Sequence, residues 1–227
     1  MTKNLIIITG TTRGLGKAFR SILLSSNRNY ILTLNRHKIK EENKNIKNLE
    51  IDLSSISEEK INSFKQEVLN ILSNNTFERV VFINNAFTIN PISKITNLNN
   101  YDILKSLNTN MISQVIILKE FIVLIKDLSI DKQIVNISSG ASKYAIEDWS
   151  MYSTAKAAVE MFLLCIEKEH NDINVHNIDP GVLDTNMQVK IRQYYMDSDN
   201  YFTNLKKNNL LLNPDSVASN ILKDINL

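Results

Sequence analysis

Short apolar runs alternate along this chain with longer segments in which apolar residues recur at helical spacing. Residues 3–9 (KNLIIIT) form a β-branched run suited to a buried strand, and residues 17–25 (KAFRSILLS) have helical spacing. Further strands are predicted at 30–34, 49–53, 79–84, 133–138 and 174–179, and further helices at 57–73, 99–127, 150–170, 185–207 and 214–225. This alternation predicts βαβ units, and therefore an α/β, doubly wound, three-layer fold with a mainly six-stranded parallel sheet.

Length and charge limit the kinds of protein that this chain can be. The 227 residues are compatible with a single domain over 1–227, and no repeat or linker divides them. Lys and Arg outnumber Asp and Glu by only 26 to 24 without a basic block, so nucleic acid is not an expected partner. The N-terminus lacks a signal-peptide pattern, and no stretch approaches the ~20 apolar residues of a membrane span. These features predict a cytoplasmic protein without membrane contact.

Residues that commonly bind metals or form disulfides are few. Cys165, the one cysteine, lies in an apolar helical segment and is expected to be a core thiol. His37, His170 and His176 are scattered without ligand-like spacing. No metal site is predicted.

Glycine is scarce and its placement is informative. Only five glycines occur, whereas about sixteen would be expected at the ~7% average usage. Gly10, Gly14 and Gly16 lie between the first predicted strand and the first predicted helix, where free backbone N–H groups and the helix dipole suit a diphosphate. Turn geometry before a helix explains such glycines equally well. Gly140 and Gly181 mark two further candidate sites.

A tyrosine and a lysine lie four residues apart near the start of the predicted helix 150–170. Tyr152 and Lys156 share one helix face, so their side chains can point into the same cleft. A nearby ammonium stabilises a phenolate, and we expect it to lower the pKa of Tyr152 from the ordinary value near 10. Such a phenol suits acid–base chemistry on an alcohol or carbonyl. By itself, this spacing also occurs by chance on half-exposed helices.

Several short motifs follow one another in order along the chain. They are Thr9-Gly10-Thr11-Thr12-Arg13-Gly14-Leu15-Gly16, Asn84-Asn85-Ala86, Ser139, Tyr152 with Lys156, and Asp179-Pro180-Gly181. In this combination the chain resembles the short-chain dehydrogenase/reductase family over essentially its whole length, which implies a Rossmann-type fold and an oxidoreductase activity. The segments 136–140 (NISSG), 149–152 (WSMY) and 182–188 (VLDTNMQ) most resemble the sepiapterin reductase and benzil reductase group.

The resemblance implies roles for three residues of the catalytic site. Tyr152 would protonate a carbonyl oxygen during reduction, or accept a proton during alcohol oxidation. Lys156 would hold the nicotinamide ribose, and Ser139 would hydrogen-bond the substrate oxygen where charge develops. Ser138 remains an alternative to Ser139.

The fourth catalytic residue implied by the resemblance is an asparagine in the long helix before the fifth strand. Asn110 fits the family's spacing better than Asn108, because Leu104 and Leu107 precede it by six and three positions and Ser113 follows it by three. In the family this residue helps to hold a water that links the lysine to solvent.

Charge at the end of the second predicted strand favours NADP(H) as cofactor. NAD-binding folds usually place an acid there, roughly 20 residues after the glycine loop, but here Asn35-Arg36 occupy the place, and Arg13 lies in the loop itself. Two guanidinium groups suit a ribose 2′-phosphate, although either could be a solvated surface residue. With the contacts that the resemblance adds, the predicted cofactor-binding residues are Gly10, Thr12, Arg13, Gly14, Leu15, Gly16, Asn35, Arg36, Asp52, Leu53, Asn84, Ala86, Tyr152, Lys156, Pro180, Gly181, Val182 and Thr185.

The chain departs from the family pattern in two places. Phe87 follows Asn-Asn-Ala where the family usually has glycine, which puts a ring near the expected cofactor groove. No strand pattern follows the helix predicted at 214–225, so the usual C-terminal edge strand is expected to be missing. The segment 187–212 corresponds to the family's mobile substrate lid.

These features together predict an NADPH-dependent carbonyl reductase that transfers hydride to a ketone or diketone. The expected partner is a small-molecule carbonyl substrate, and the expected assembly is a homodimer or homotetramer. One alternative is a reductase of a 3-oxoacyl-carrier or sugar intermediate. Another is a non-catalytic NADP(H)-binding sensor or scaffold.

Overall fold

The sheet contains six parallel strands in a computed structural model that describes residues 3–39, 43–196 and 200–227. In chain order the strands are β1 Asn4–Thr9, β2 Asn29–Asn35, β3 Ile46–Glu50, β4 Arg79–Asn84, β5 Asp131–Ile137 and β6 Ile173–Ile178. Their order in the sheet, β3-β2-β1-β4-β5-β6, reverses direction between β1 and β4. This reversal makes the fold a doubly wound Rossmann-type fold and opens a crevice beyond the carboxyl ends of the strands.

Eight α-helices are assigned within the described ranges. They are α1 Gly14–Leu24, α2 Glu58–Asn74, α3 Asn100–Leu107, α4 Ser113–Ile125, α5 Ser150–Glu169, α6 Asn186–Tyr195, α7 Tyr201–Lys207 and α8 Pro214–Asp224. The described residues after β6 contain an isolated β-bridge between Leu183 and Leu212 but no further strand, so β6 is an edge of the sheet, as expected from the missing strand pattern.

The helices cover both faces of the sheet because strands such as β1 are buried on both sides. Leu5 and Ile7 pack in one apolar cluster with residues of α2, α4 and α5. Ile6 and Ile8 pack in a second cluster with residues of α1 and α8. Successive strand residues point to opposite faces, which is why one apolar run serves two cores.

Three predicted elements differ from the observed ones. The third strand spans Ile46–Glu50 rather than 49–53, because it pairs with residues Ile31–Asn35 and β2 ends there. The helix predicted at 99–127 contains a π-helical turn at Asn108–Ile112. The helix predicted at 185–207 is two helices, since Met196 ends α6 with a φ of 45° and Asn200 caps α7.

Two further expectations are corrected by the structure. Cys165 is exposed rather than a core thiol, because it lies on the outer face of α5. The second expectation was that no stretch approaches a membrane span. The helical run Asn100–Ile125 is long and apolar enough to cross a membrane: an 18-residue stretch within it has a mean hydropathy of 1.3, and half of that stretch is buried inside the protein. A helix in a protein core can be equally long and apolar, and this run packs on α2 and α5.

Candidate active site

A large cavity of about 1520 Å³ lies in the crevice beyond the carboxyl ends of the strands. Every predicted catalytic residue except Asn110 lines it, and so does every predicted cofactor-binding residue except Asn84. Ser138, the alternative to Ser139, lines it as well. The fold therefore brings together residues that the sequence separates by up to 175 positions, from Gly10 to Thr185.

The glycine loop, residues 10–16, connects β1 to α1 in a turn that leaves almost no space for additional side-chain atoms. Gly10 and Gly14 have positive φ values of 72° and 53°, which side-chain-bearing residues rarely adopt. A Cβ on Gly16 would lie 2.1 Å from the carbonyl oxygen of Gly10. Helix α1 begins here without a side-chain cap and without an acidic residue in its first turn, so its N–H groups are open to an anion.

Asn35 lines the cavity, and its side chain supports this loop. It is buried, and its Oδ1 accepts a hydrogen bond of 2.7 Å from the backbone N–H of Thr11. Its Nδ2 donates to Asn48 Oδ1 at 2.8 Å and to Thr11 Oγ1 at 3.0 Å. Arg13 and Arg36 are exposed at the cavity wall, and Arg36 Nε donates a hydrogen bond to His37 Nε2 at 3.2 Å.

Asn84 and its neighbour Asn85 have different positions. Asn84 is fully buried, and its amide donates to Asn136 at 3.0 Å, which in turn donates to Asn177 at 2.9 Å. These amides join β4, β5 and β6. Asn85 lines the cavity instead, and its amide donates to the carbonyls of Thr9 and Gly10 at 3.0 Å each. Sequence reasoning quoted Asn85 in the motif but did not select it.

Asn110 is fully buried within the π-helical turn and does not line the cavity. Its carboxamide makes two hydrogen bonds with the backbone of Thr88, accepting from N–H at 2.9 Å and donating to C=O at 2.7 Å. Asn108, the alternative, is only half-buried. Asn110 thus fixes the loop that follows β4, and π-helical turns of this kind occur frequently at functional sites.

Tyr152 is buried beside Ser139, and its pKa shift is opposite to the expected one. Burial raises the pKa of Tyr152 to about 12, and the negative charge of Asp179 adds to the rise. The hydrogen bond with Ser139 opposes it by favouring the phenolate. Ser138 is directed elsewhere, with its Oγ 3.5 Å from Ser142 Oγ. The phenol is therefore held protonated at neutral pH.

Lys156 is buried as well, which weakens the electrostatic support that was expected from its charge. Only 2% of its surface is exposed, and burial lowers the pKa of its ammonium to about 7, while Glu160 and Asp179 oppose that shift. Its Nζ donates to the carbonyl of Ile137 at 2.5 Å and lies 5.7 Å from the centroid of the Tyr152 ring. A lysine that is partly neutral at pH 7 gives a phenolate little electrostatic support.

A stack of aromatic rings connects the catalytic helix to the segment predicted as a lid. Trp149, the residue directly before α5, contacts the ring of Tyr152 edge-on, with the two ring centroids 5.7 Å apart. Phe202 of α7 stacks on Trp149 at 5.4 Å, and Tyr195 of α6 stacks on Phe202 at 6.1 Å. Trp149 belongs to the segment 149–152 that carries the resemblance, whereas no sequence motif pointed to Phe202. Residues 197–199 of the predicted lid lie outside the described residues.

Comparisons with known proteins agree with this geometry. A family model for short chain dehydrogenase matches residues 4–195. The chain is 32% identical to benzil reductase ((S)-benzoin forming) of Bacillus cereus, over 95% of this chain and 91% of the relative. It is 26% identical to sepiapterin reductase of Bos taurus, over 87% and 79%. The solved structure of ElxO with NADP bound superposes with a TM-score of 0.78 at 22% identity, covering 98% of this chain and 90% of that one.

Proposed function

Because this chain belongs to the short chain dehydrogenase family, we propose that it is an NADPH-dependent carbonyl reductase acting on a ketone or diketone. One observation carries the proposal. Ser139, Tyr152 and Lys156 line the same cavity as an uncapped glycine-rich helix start. A proton donor and a diphosphate-binding loop in one cleft are what a nicotinamide-dependent reductase needs.

The residues of the glycine loop and its surroundings fit a phosphorylated dinucleotide. The open N–H groups at the start of α1 would bind the diphosphate. Arg13 and Arg36 would bind the 2′-phosphate, for which guanidinium groups offer paired donors. The similar ElxO structure has NADP bound, and that supports this choice of cofactor.

The protonated state of Tyr152 suits the role of proton donor in carbonyl reduction. When bound, NADPH supplies the hydride. With a pKa of about 12, Tyr152 holds its proton throughout the neutral range and would give it to the carbonyl oxygen. Ser139 would donate a hydrogen bond to the same oxygen, and Lys156 would orient the nicotinamide ribose.

The apolar wall beyond Tyr152 supports a ketone or diketone as substrate. Ile89, Trp149 and Ile191 are buried there in one apolar cluster with Tyr152, and Phe202 packs against it. This surface suits apolar groups on either side of a carbonyl. The Bacillus cereus relative is named for benzil, a diketone with two aromatic rings, and that name supports the same class.

A carbonyl panel tests the proposal directly. We expect NADPH absorbance to fall with at least one apolar ketone or diketone, and to remain constant without a carbonyl. Activity confined to carrier-linked 3-oxoacyl groups or to sugars would favour that alternative substrate class. Binding of NADPH without oxidation across diketones, pterins and aldehydes would contradict a reductase and favour a non-catalytic NADP(H)-binding protein.

Removal of either arginine is expected to weaken the binding of NADPH but not that of NADH. Arg13→Ala or Arg36→Ala should raise the KM for NADPH about 10-fold to 100-fold, because a hydrogen bond to a charged group is worth roughly 1.5–3 kcal/mol. The KM for NADH should not change, since NADH lacks the 2′-phosphate. Steady-state kinetics with both cofactors measure this. Lys17→Ala is the matched control, because Lys17 is exposed on α1 away from the cavity. A preference of the wild type for NADH would overturn the assignment.

A further inference from the structure

The ring of Phe87 lies directly against the ammonium of Lys156. The distance from Nζ to the ring centroid is 3.2 Å, and the other contact of Nζ is the carbonyl of Ile137. Both Phe87 and Lys156 line the cavity, yet Lys156 is only 2% exposed. Within the described part of the chain, a carbonyl and a ring are the two close partners of this ammonium.

No carboxylate among the described residues forms an ion pair with Lys156. Glu160 on α5 and Asp179 after β6 influence its charge from a distance, and burial acts against that charge more strongly. The face of an aromatic ring attracts a cation, and the attraction is strongest where water is excluded. The ring face of Phe87 and the carbonyl of Ile137 are therefore the two close groups that favour the charged form of Lys156.

The backbone on both sides of Phe87 is fixed by hydrogen bonds. The N–H of Ala86 donates to Thr9 Oγ1 at 2.9 Å, and the carbonyl of Ala86 accepts from Gln114. Thr88 is held at both its N–H and its C=O by Asn110. Any movement of Phe87 away from Lys156 is thus a rotation of its side chain rather than a shift of the loop.

The ring of Phe87 and a bound ribose would compete for the same N–H donors of Lys156. An ammonium has three N–H donors, and one of those of Lys156 is used by Ile137. At 3.2 Å, the ring leaves no room for a hydroxyl between itself and Nζ.

We propose that Phe87 is a positioning residue whose ring holds the Lys156 ammonium in the cofactor-free protein and rotates away when the ammonium binds the nicotinamide ribose. The inference rests on the proposed function, in which Lys156 contacts that ribose. It makes the ring lower the affinity for NADPH, because part of the binding free energy is used to displace the ring from the ammonium.

Titration of Trp149 fluorescence with NADPH measures this effect without turnover. Trp149 is the single tryptophan and meets the ring of Tyr152 at 5.7 Å, so it reports on this site. In Phe87→Gly, which lacks the competing ring, the Kd for NADPH should fall about 3-fold to 30-fold. A Kd of Phe87→Gly that equals or exceeds that of the wild type would overturn the proposal.

Two substitutions at Phe87 separate the aromatic face from mere bulk. Phe87→Leu keeps an apolar side chain without a π-face and should bind NADPH more tightly than the wild type. Phe87→Tyr keeps the ring and should retain the wild-type Kd. A Kd of Phe87→Leu equal to that of the wild type would contradict a role for the ring face. Phe82→Leu is the matched control, because Phe82 is a fully buried ring on β4 away from the cavity, and it should keep the wild-type Kd.

The outcomes distinguish this proposal from the proposed function. If NADPH does not change Trp149 fluorescence and no carbonyl is reduced, both are wrong. If the wild type binds NADPH and reduces a carbonyl while all Phe87 variants bind with the wild-type Kd, only the role of Phe87 is wrong. Thermal melts show whether each variant is folded, and Phe87→Leu replaces Phe87→Gly in the comparison where the glycine variant does not fold.

Discussion

Replacing Tyr152 by phenylalanine is expected to lower the kcat for carbonyl reduction about 10²-fold to 10⁴-fold, the usual contribution of a positioned acid. The substitution removes the proton donor and keeps the ring. Because Tyr152 is 6% exposed and packs against Trp149, phenylalanine should preserve the fold and the affinity for NADPH. Steady-state rates measure the loss, and the fluorescence of Trp149 measures binding.

A second tyrosine provides the control for this experiment. Tyr101 is 68% exposed on α3 and lies outside the cavity, so Tyr101→Phe removes a hydroxyl without touching the site. Its rate should match that of the wild type. A Tyr152→Phe enzyme that reduces carbonyls as fast as the wild type would show that another group supplies the proton.

The order of strands and helices was predictable because it depends on periodicity. The buried run of β1 and the amphipathic spacing of α1 are both local properties of the sequence, and each was found within a few residues of its predicted place. The π-helical turn at Asn108–Ile112 was not predictable from periodicity, because it depends on where Asn110 contacts the loop after β4. That contact joins residues 22 positions apart.

The chemistry of the site was predictable in its residue types but not in its charge states. The spacing of Tyr152 and Lys156 indicates that they share a helix face, and the structure places both at the cavity. The spacing does not report burial, and burial raises the pKa of Tyr152 and lowers that of Lys156. The motif likewise did not reveal that Asn84 faces β5 while Asn85 supports the glycine loop, since neighbouring residues point in opposite directions where a strand ends.

Gly16→Ala is expected to damage the cofactor site severely. The added Cβ would lie 2.1 Å from the backbone oxygen of Gly10 and 2.5 Å from the amide nitrogen of Asn85, so the loop itself has to shift. Overpacking of this kind costs about 1–3 kcal/mol of folding stability, sometimes more. Displacement of the N–H groups at the start of α1 should weaken NADPH binding about tenfold or more, equivalent to at least about 1.4 kcal/mol.

Gly140→Ala tests whether this damage comes from the close contact or from glycine replacement in general. A Cβ on Gly140 would meet only Asp179 Oδ2, at an ordinary distance of 3.4 Å, so its free energy of unfolding should change by less than about 0.5 kcal/mol. Urea unfolding compares the two variants, and titration of Trp149 fluorescence compares their affinity for NADPH. A Gly16→Ala protein that is as stable as Gly140→Ala and binds NADPH as tightly as the wild type would contradict the tight packing of the glycine loop. It would also remove the physical reason for a glycine at position 16.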